Sequence, residues 1–237
     1  ETRIPQPHST AQWQEIALTL IAAYAHSTGA STQNTDQFVY LQVTRGVAMR
    51  DHVMPQGITP TVFAMTNAMK PPTAQQRSDG VACVTAEDFR WEKAHIKSTS
   101  LLGAVLARQT SFDAGAVETV MFRKGCLSEA AASNVWVIKH GVVMGPPKDH
   151  LVLEGIRYGL IEELCQAAAI PFVLRPLAKA EVLDADELLL SSATKEVLPI
   201  ATLDGLPVGN GRPGPIYEAL YEGYQRAKAQ SAASAPH

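Results

Sequence analysis

The chain has 237 residues, of which 46% are hydrophobic and 18% are charged, and its formal net charge is −3. This length is enough to bury a substantial core in one large or two small domains. The lack of a basic surplus argues against nucleic acid as a partner, and no run of about 20 apolar residues predicts a membrane span. The cysteines Cys83, Cys126 and Cys165 are too widely spaced for a disulfide framework or a zinc site, so we expect reduced thiols, no metal and a cytoplasmic location.

The first part of the chain predicts a small α/β domain over residues 1–68. Apolar residues recur at helical spacing after Ser9, which forms a capping box with Gln12. A proline-rich break at 69–73 then predicts an interdomain linker. The elements predicted before this break are a helix over Ser9–Ala25 and strands over Phe38–Thr44 and Thr61–Thr66.

Residues 74–230 predict a larger domain in which strands outnumber helices, and 231–237 predict a disordered tail. The Asp204-Gly205 pair predicts a hairpin turn. We therefore expect an α+β fold with a barrel-like or strongly curved sheet in the larger domain. The predicted strands are Val81–Thr85, Val117–Phe122, Val135–Val143, Phe172–Leu174 and Glu187–Ser191, and the predicted helices are Thr99–Gln109, Ile156–Ala168 and Ile216–Lys228.

Arg50 and His52 follow the first predicted strand. In an extended segment, side chains at positions i and i+2 project to the same side. An arginine fork and an imidazole placed in this way can together bind a carboxylate. The same pattern is also typical of a solvated loop.

Lys97 precedes a predicted helix and follows Ile96, which predicts a partly buried position. A lysine there would have a lowered pKa and could form a Schiff base. The same pattern is also typical of a lysine whose stem packs on apolar neighbours while its ammonium group extends to solvent.

Glu129 lies in a stretch of small and polar residues, Leu127–Asn134, which we predict to be a loop between two strands. A carboxylate there could hold a cationic ring nitrogen of a cofactor. The stretch is equally compatible with a plain connection in which Ser133 and Asn134 complete a turn.

Two further segments predict a phosphate site. Gly155 precedes a helix whose first amides are unpaired, an arrangement that binds anions, although a glycine there is also typical of a simple cap. The hydroxyl-rich turn Ser191–Lys195 follows a strand and could offer amides and hydroxyls to the same anion.

Taken together, these segments resemble the pyridoxal phosphate (PLP)-dependent aminotransferases of fold type IV, and among them the D-amino-acid transaminases. The match runs nearly the length of the chain, without an insertion between Lys97 and the Ser192 turn. The segments that carry it are Tyr40-Leu-Gln-Val-Thr-Arg-Gly46 with Arg50-x-His52, Asp88-Phe-Arg-Trp91, His95-Ile-Lys-Ser98 and Leu101-Leu-Gly-Ala-Val-Leu-Ala107.

The resemblance implies a role for each candidate residue. Lys97 would be the Schiff-base lysine and proton carrier, and Glu129 would pair with the pyridine nitrogen. Arg50 and His52 would bind the substrate carboxylate, commonly from the partner subunit, which implies a homodimer. The remaining cofactor-binding residues would be Ser133 and Asn134 at the polar edge of the ring, Leu153 against its face, and Gly155, Ile156, Ser192, Ala193 and Thr194 around the phosphate.

The chain departs from the family pattern at two phosphate positions, since Arg157 and Ala193 stand where threonines are usual. The chain also starts inside the family's small domain, so we expect a longer native polypeptide that carries the preceding strands.

The activity that the resemblance implies is transamination between D-amino acids such as D-alanine and a 2-oxo acid such as 2-oxoglutarate, with ping-pong kinetics. The alternatives on the same fold are a branched-chain L-amino-acid transaminase, an (R)-amine transaminase and an aminodeoxychorismate lyase. From another class, a catalytically silent PLP-binding protein is the alternative. The expected partners are small-molecule substrates and a second copy of the chain.

Overall fold

The computed structural model describes residues 1–29 and 35–234, and the chain divides into two compact units, Glu1–Lys70 and Pro71–His237. The division falls inside the linker predicted at 69–73. The last three residues of the predicted tail lie outside the described residues.

The first unit contains one helix and a strand pair among its described residues. Helix α1 (Thr10–Thr28) begins with the predicted capping box, in which Ser9 and Gln12 each accept a hydrogen bond from the other's backbone N–H. Strands β1 (Gln37–Thr44) and β2 (Thr61–Ala68) pair antiparallel. The elements predicted for this part of the chain are therefore confirmed.

The second unit is built on one mixed sheet. Its strands lie in the order β5-β4-β3-β10-β9-β6-β7-β8, with β11 beside β10. The strands are β3 (Val81–Glu87), β4 (Glu118–Arg123), β5 (Cys126–Ala130), β6 (Asn134–Lys139), β7 (Val142–Gly145), β8 (Phe172–Leu174), β9 (Glu187–Ser192), β10 (Glu196–Leu203) and β11 (Leu206–Pro207). The helices are α2 (Ala74–Asp79), α3 (Leu102–Asp113), α4 (Arg157–Ala167), α5 (Lys179–Leu183) and α6 (Pro215–Ser234).

The sheet curls until its two ends approach each other. Cys126 in β5, at one end, forms an isolated antiparallel bridge with Ala178, which follows β8 at the other end. The backbone N–H of Leu127 also donates to the carbonyl of Leu177 at 2.8 Å. Because these bonds join opposite ends of the strand order, the predicted α+β fold with a barrel-like sheet is confirmed.

Strand β6 shows why the sheet is buried on both faces. Side chains alternate across a strand, and here both sets are apolar: Val135 and Val137 enter one core cluster, whereas Trp136 and Ile138 enter another. The second cluster includes residues of α4 and α6, so these helices cover one face of the sheet.

Two sequence predictions in this unit are wrong. The strand predicted over Val135–Val143 is two strands, because His140 and Gly141 both have positive φ and make a tight turn. The stretch Leu127–Asn134 is not only a loop, since its first four residues belong to β5. Glu129 therefore lies on a strand. By contrast, the hairpin predicted at Asp204-Gly205 is confirmed.

Two helices also differ in extent from their predictions. Helix α3 begins at Leu102, three residues later than predicted, and α6 continues to Ser234. The first four residues of the predicted disordered tail are thus helical.

Candidate active site

Glu129 is a buried carboxylate held from three sides. Its Oε1 accepts a hydrogen bond from Arg90 Nη1 at 2.8 Å. Its Oε2 accepts from Asn134 Nδ2 at 3.3 Å and from the backbone N–H of Leu153 at 3.2 Å. Burial raises the pKa of Glu129 to about 7, although Arg90 acts to lower it. A further cation beside this carboxylate would therefore stabilise its charged form.

Arg90 is itself fixed by a second carboxylate. Its Nε and Nη2 donate to Oδ1 and Oδ2 of Asp88, each at 2.9 Å, which is the planar two-bond geometry that suits a guanidinium. Burial opposes the charge of Asp88, but the bonds from Arg90 prevail and lower the pKa of Asp88 to about 2. Arg123 Nη2 approaches the same carboxylate at 3.2 Å. The network holds Arg90 in place against Glu129.

Gly103 explains how the start of α3 approaches Arg90. A Cβ atom at this position would lie 2.8 Å from Arg90 Cγ, so any larger residue would force one of the two segments to shift. The two-residue spacing of Asp88 and Arg90 is the sequence signal for this ion pair, but its connection to Glu129 spans 39 residues and is visible only in the fold.

Asn134, Leu153 and Gly155 lie together beside Glu129. Asn134 Nδ2 donates to the carbonyl of Leu153 at 2.9 Å as well as to Glu129. A Cβ atom at position 155 would collide with Asn134 Oδ1, so the close approach of the two segments requires glycine. The structure thus brings four of the predicted cofactor-binding residues to one place.

The hydroxyl of Ser133 bonds elsewhere. It donates to Glu118 Oε2 at 3.1 Å, and Lys195 Nζ donates both to this hydroxyl at 3.0 Å and to Glu118 Oε2 at 2.9 Å. Glu118 is fully buried. The pairing of Glu118 with Lys195 was not predicted from the sequence. Its signal is a charged residue at the start of an otherwise apolar strand, because a buried charge requires a partner.

The two segments predicted to bind phosphate lie next to each other. Gly155 and Ile156 precede the first residue of α4, so their amides have no carbonyl within the helix to bond. Arg157 reaches from this helix to the turn after β9, where its Nε and Nη2 donate to the carbonyls of Ser192 and Ala193 at 3.3 and 3.2 Å. Thr194 is exposed in the same turn.

Lys97 lies in the same unit, between β3 and α3, in a segment without helix or strand. Its side chain is exposed, so the predicted partial burial is wrong. The physical reason is that α3 begins only at Leu102, which leaves Lys97 outside the helix that was expected to cover it. Ile96, just before it, is half-buried.

Arg50 and His52 belong to the first unit, in the connection between β1 and β2. Both are exposed, and the backbone N–H of His52 donates to Asp51 Oδ1 at 2.6 Å. The role of this pair at a substrate carboxylate stays a prediction.

Within residues 1–29 and 35–234, none of the helices combines the length and hydropathy needed to cross a membrane. In the same part of the chain, no cluster of three or more His, Cys, Asp or Glu side chains is placed to hold a metal ion.

Known proteins similar to this chain are aminotransferases. Residues 1–203 match the family model described as amino-transferase class IV. The D-alanine aminotransferase of Bacillus licheniformis is 37% identical over 195 residues, which cover 82% of this chain and 69% of that protein. The D-alanine aminotransferase of Staphylococcus aureus strain COL is 37% identical over 189 residues, which cover 79% and 67%.

Among solved structures, the branched-chain amino acid aminotransferase of Escherichia coli superposes with a TM-score of 0.79. It is 21% identical, and the match covers 93% of this chain and 72% of that one. At this identity the likeness shows the fold alone. The family model and the relatives at 37% identity together establish that this chain belongs to the class IV aminotransferases.

Proposed function

We propose that this chain uses PLP to transfer the amino group of a D-amino acid, such as D-alanine, to a 2-oxo acid, such as 2-oxoglutarate. The observation that carries the proposal is Glu129, a buried carboxylate oriented by Arg90 and Asn134 and suited to a cationic ring nitrogen. The choice of D-amino acids is supported by the relatives at 37% identity, both named D-alanine aminotransferase.

The residues present fit this cofactor. A pyridinium N–H beside Glu129 would supply the further cation that this carboxylate can use, since burial raises its pKa to about 7 even with Arg90 acting to lower it. The glycine at 155 lets the backbone before α4 approach the Asn134 side chain closely. The unpaired amides before α4 and the adjoining turn at Ser192 offer donors for a phosphate group.

When bound, PLP withdraws electrons from the bonds to the amino acid's α-carbon. We assign to Glu129 the task of holding the ring nitrogen positive, because its orientation is fixed before any reaction begins. We assign to Lys97 Nζ both the covalent attachment of the cofactor and the movement of the α-proton. The exposed position of Lys97 leaves its amine accessible to both.

We assign the substrate carboxylate to Arg50 and His52. Supplied by a second copy of the chain, an arginine fork and an imidazole N–H would together give three donors. These would set the orientation of the α-carbon and therefore which hand of amino acid presents its proton to Lys97. The fold likeness to a branched-chain enzyme does not choose between the two hands, because at 21% identity it describes architecture only.

We further propose that the enzyme works as a homodimer in the cytoplasm. Helix α3 leaves a row of apolar side chains exposed at helical spacing, each with half or more of its surface in solvent, and a second copy would cover them. These residues are Leu102, Val105, Leu106 and Phe112. All three cysteines lie in the described part of the chain and are free, which supports a reducing compartment.

Two experiments test these proposals. With a 2-oxo acid acceptor present, pyruvate should form from D-alanine and not from L-alanine, and without the acceptor D-alanine should give no turnover. Pyruvate formation from L-alanine but not from D-alanine would overturn the D assignment. Light scattering after gel filtration should give twice the chain mass, and V105E should give a monomer, whereas a monomeric wild type would overturn the dimer.

A further inference from the structure

Arg157 connects two segments that are 35 residues apart in sequence. It is the first residue of α4, and its guanidinium donates to two consecutive carbonyls of the turn after β9, those of Ser192 and Ala193. Each bond joins a charged donor to a neutral acceptor, which makes it stronger than a bond between neutral groups.

The guanidinium is also fixed from the side. Its Cζ lies 4.7 Å from the ring centroid of Tyr224 in α6, within the range of a cation–π contact. Two hydrogen bonds and a ring contact leave the planar group little rotational freedom. A threonine or alanine at 157 is too short to make any of these contacts.

The turn is anchored by a second residue as well. Lys195, the residue after Thr194, sends its Nζ to the buried Glu118, and its backbone N–H donates to Ser192 Oγ at 3.0 Å. Arg157 and Lys195 therefore hold the turn through separate contacts.

We propose that Arg157 is a positioning residue for the phosphate end of the cofactor. By holding the Ser192–Thr194 turn against the start of α4, it sets the separation of the two groups of donors that would face one phosphate, and it places a positive charge beside them. The inference rests on the proposed use of PLP. Arg157 acts through the turn and through its charge, so its contribution should depend on the phosphate and not on the pyridine ring.

The test compares PLP with pyridoxal, which lacks the phosphate. The full chain is freed of cofactor, and the dissociation constants of both compounds are measured by equilibrium dialysis. R157M removes the two hydrogen bonds and the charge, and we expect it to weaken PLP about tenfold to hundredfold while pyridoxal changes little. R157K keeps the positive charge and can donate to one of the two carbonyls, so it should recover part of the lost PLP affinity.

The matched control is R226M, because Arg226 lies on α6 with a largely exposed side chain that pairs with Glu222 at the surface. It should leave both constants unchanged. If R157M weakens the binding of PLP and of pyridoxal equally, the role of Arg157 is overturned. The same holds if the wild type binds PLP more tightly than pyridoxal and R157M changes neither dissociation constant. A wild type that binds PLP no better than pyridoxal would instead overturn the proposed cofactor site. If R157M does not fold, the same comparison is made with R157K.

Discussion

Arg90 Nη1 donates to Glu129 Oε1 at 2.8 Å, and the same guanidinium is held by both oxygens of Asp88. An arginine placed in this way cannot turn aside without losing a buried bond to one carboxylate or the other. The orientation of Glu129 is therefore a property of the folded chain before any cofactor binds, which is the condition for effective electrostatic stabilisation.

Replacing Glu129 by glutamine should reduce turnover about 100-fold or more while the cofactor still binds. The amide keeps the shape of the side chain but carries no charge to stabilise a cationic ring nitrogen, and the phosphate contacts are untouched. Measured kcat and cofactor absorbance separate the two effects. The control is E154Q, because Glu154 is exposed and pairs with Lys148 at the surface. Unchanged kcat in E129Q would remove Glu129 from the mechanism.

The stability of the cofactor-free protein should depend on pH through Glu129. Burial raises its pKa from an ordinary 4.5 to about 7, so between these pH values the folded chain keeps a proton that the unfolded chain has lost. The free energy of unfolding should therefore fall as pH rises through this window, by an upper limit of about 3 kcal/mol. Urea unfolding of wild type and E129Q measures this difference. Identical pH profiles for the two proteins would contradict it.

The two glycines at the start of α4 should respond to alanine in opposite directions. G155A would drive a methyl group into Asn134 Oδ1 and should cost about 1–3 kcal/mol of stability, with weaker cofactor binding because Asn134 also bonds Glu129. In G159A the added methyl meets nothing, so the helix should gain about 0.5–1 kcal/mol. Thermal and urea unfolding measure both variants. Equal changes in the free energy of unfolding for G155A and G159A would show that the close approach at Gly155 does not affect stability.

Lys195 should be far more important to stability than another paired lysine. K195M leaves the fully buried Glu118 without its cation and should cost about 3–5 kcal/mol. K148M breaks only a surface pair with Glu154 and should cost about 0–1 kcal/mol. The double variant K195M/E118L should recover part of the loss, because no buried charge then stands alone. A loss in K195M no larger than that in K148M would contradict the buried pair.

Much of the architecture follows from local patterns in the sequence. The capping box at Ser9, the β-branched strands and the Asp204-Gly205 turn are short-range signals, and each appears where the pattern places it. The errors also have a local cause. Lys124-Gly125 and His140-Gly141 form tight turns with positive φ. A prediction without these turns assigns the residues of β5 to a loop and joins β6 and β7 into one strand.

The site was predictable in part. The sequence and the family resemblance single out Glu129, Asn134, Leu153 and Gly155, and the fold places these four residues together. Their role at a cofactor stays a prediction. Two ion pairs around the site do not follow from the sequence, because the contact of Arg90 with Glu129 spans 39 positions and that of Lys195 with Glu118 spans 77. Periodicity and turn chemistry describe neighbours in sequence, whereas these pairs are set by strand order.

D-amino-acid transamination by this chain is tested most directly by the absorbance spectrum of the purified holoenzyme before and after adding D-alanine, with L-leucine in a parallel cuvette. We expect D-alanine alone to bleach the long-wavelength band of the bound cofactor, and 2-oxoglutarate to restore it. Bleaching by L-leucine alone would contradict the choice of D-amino acids, and a protein without that band would contradict the assignment of Lys97.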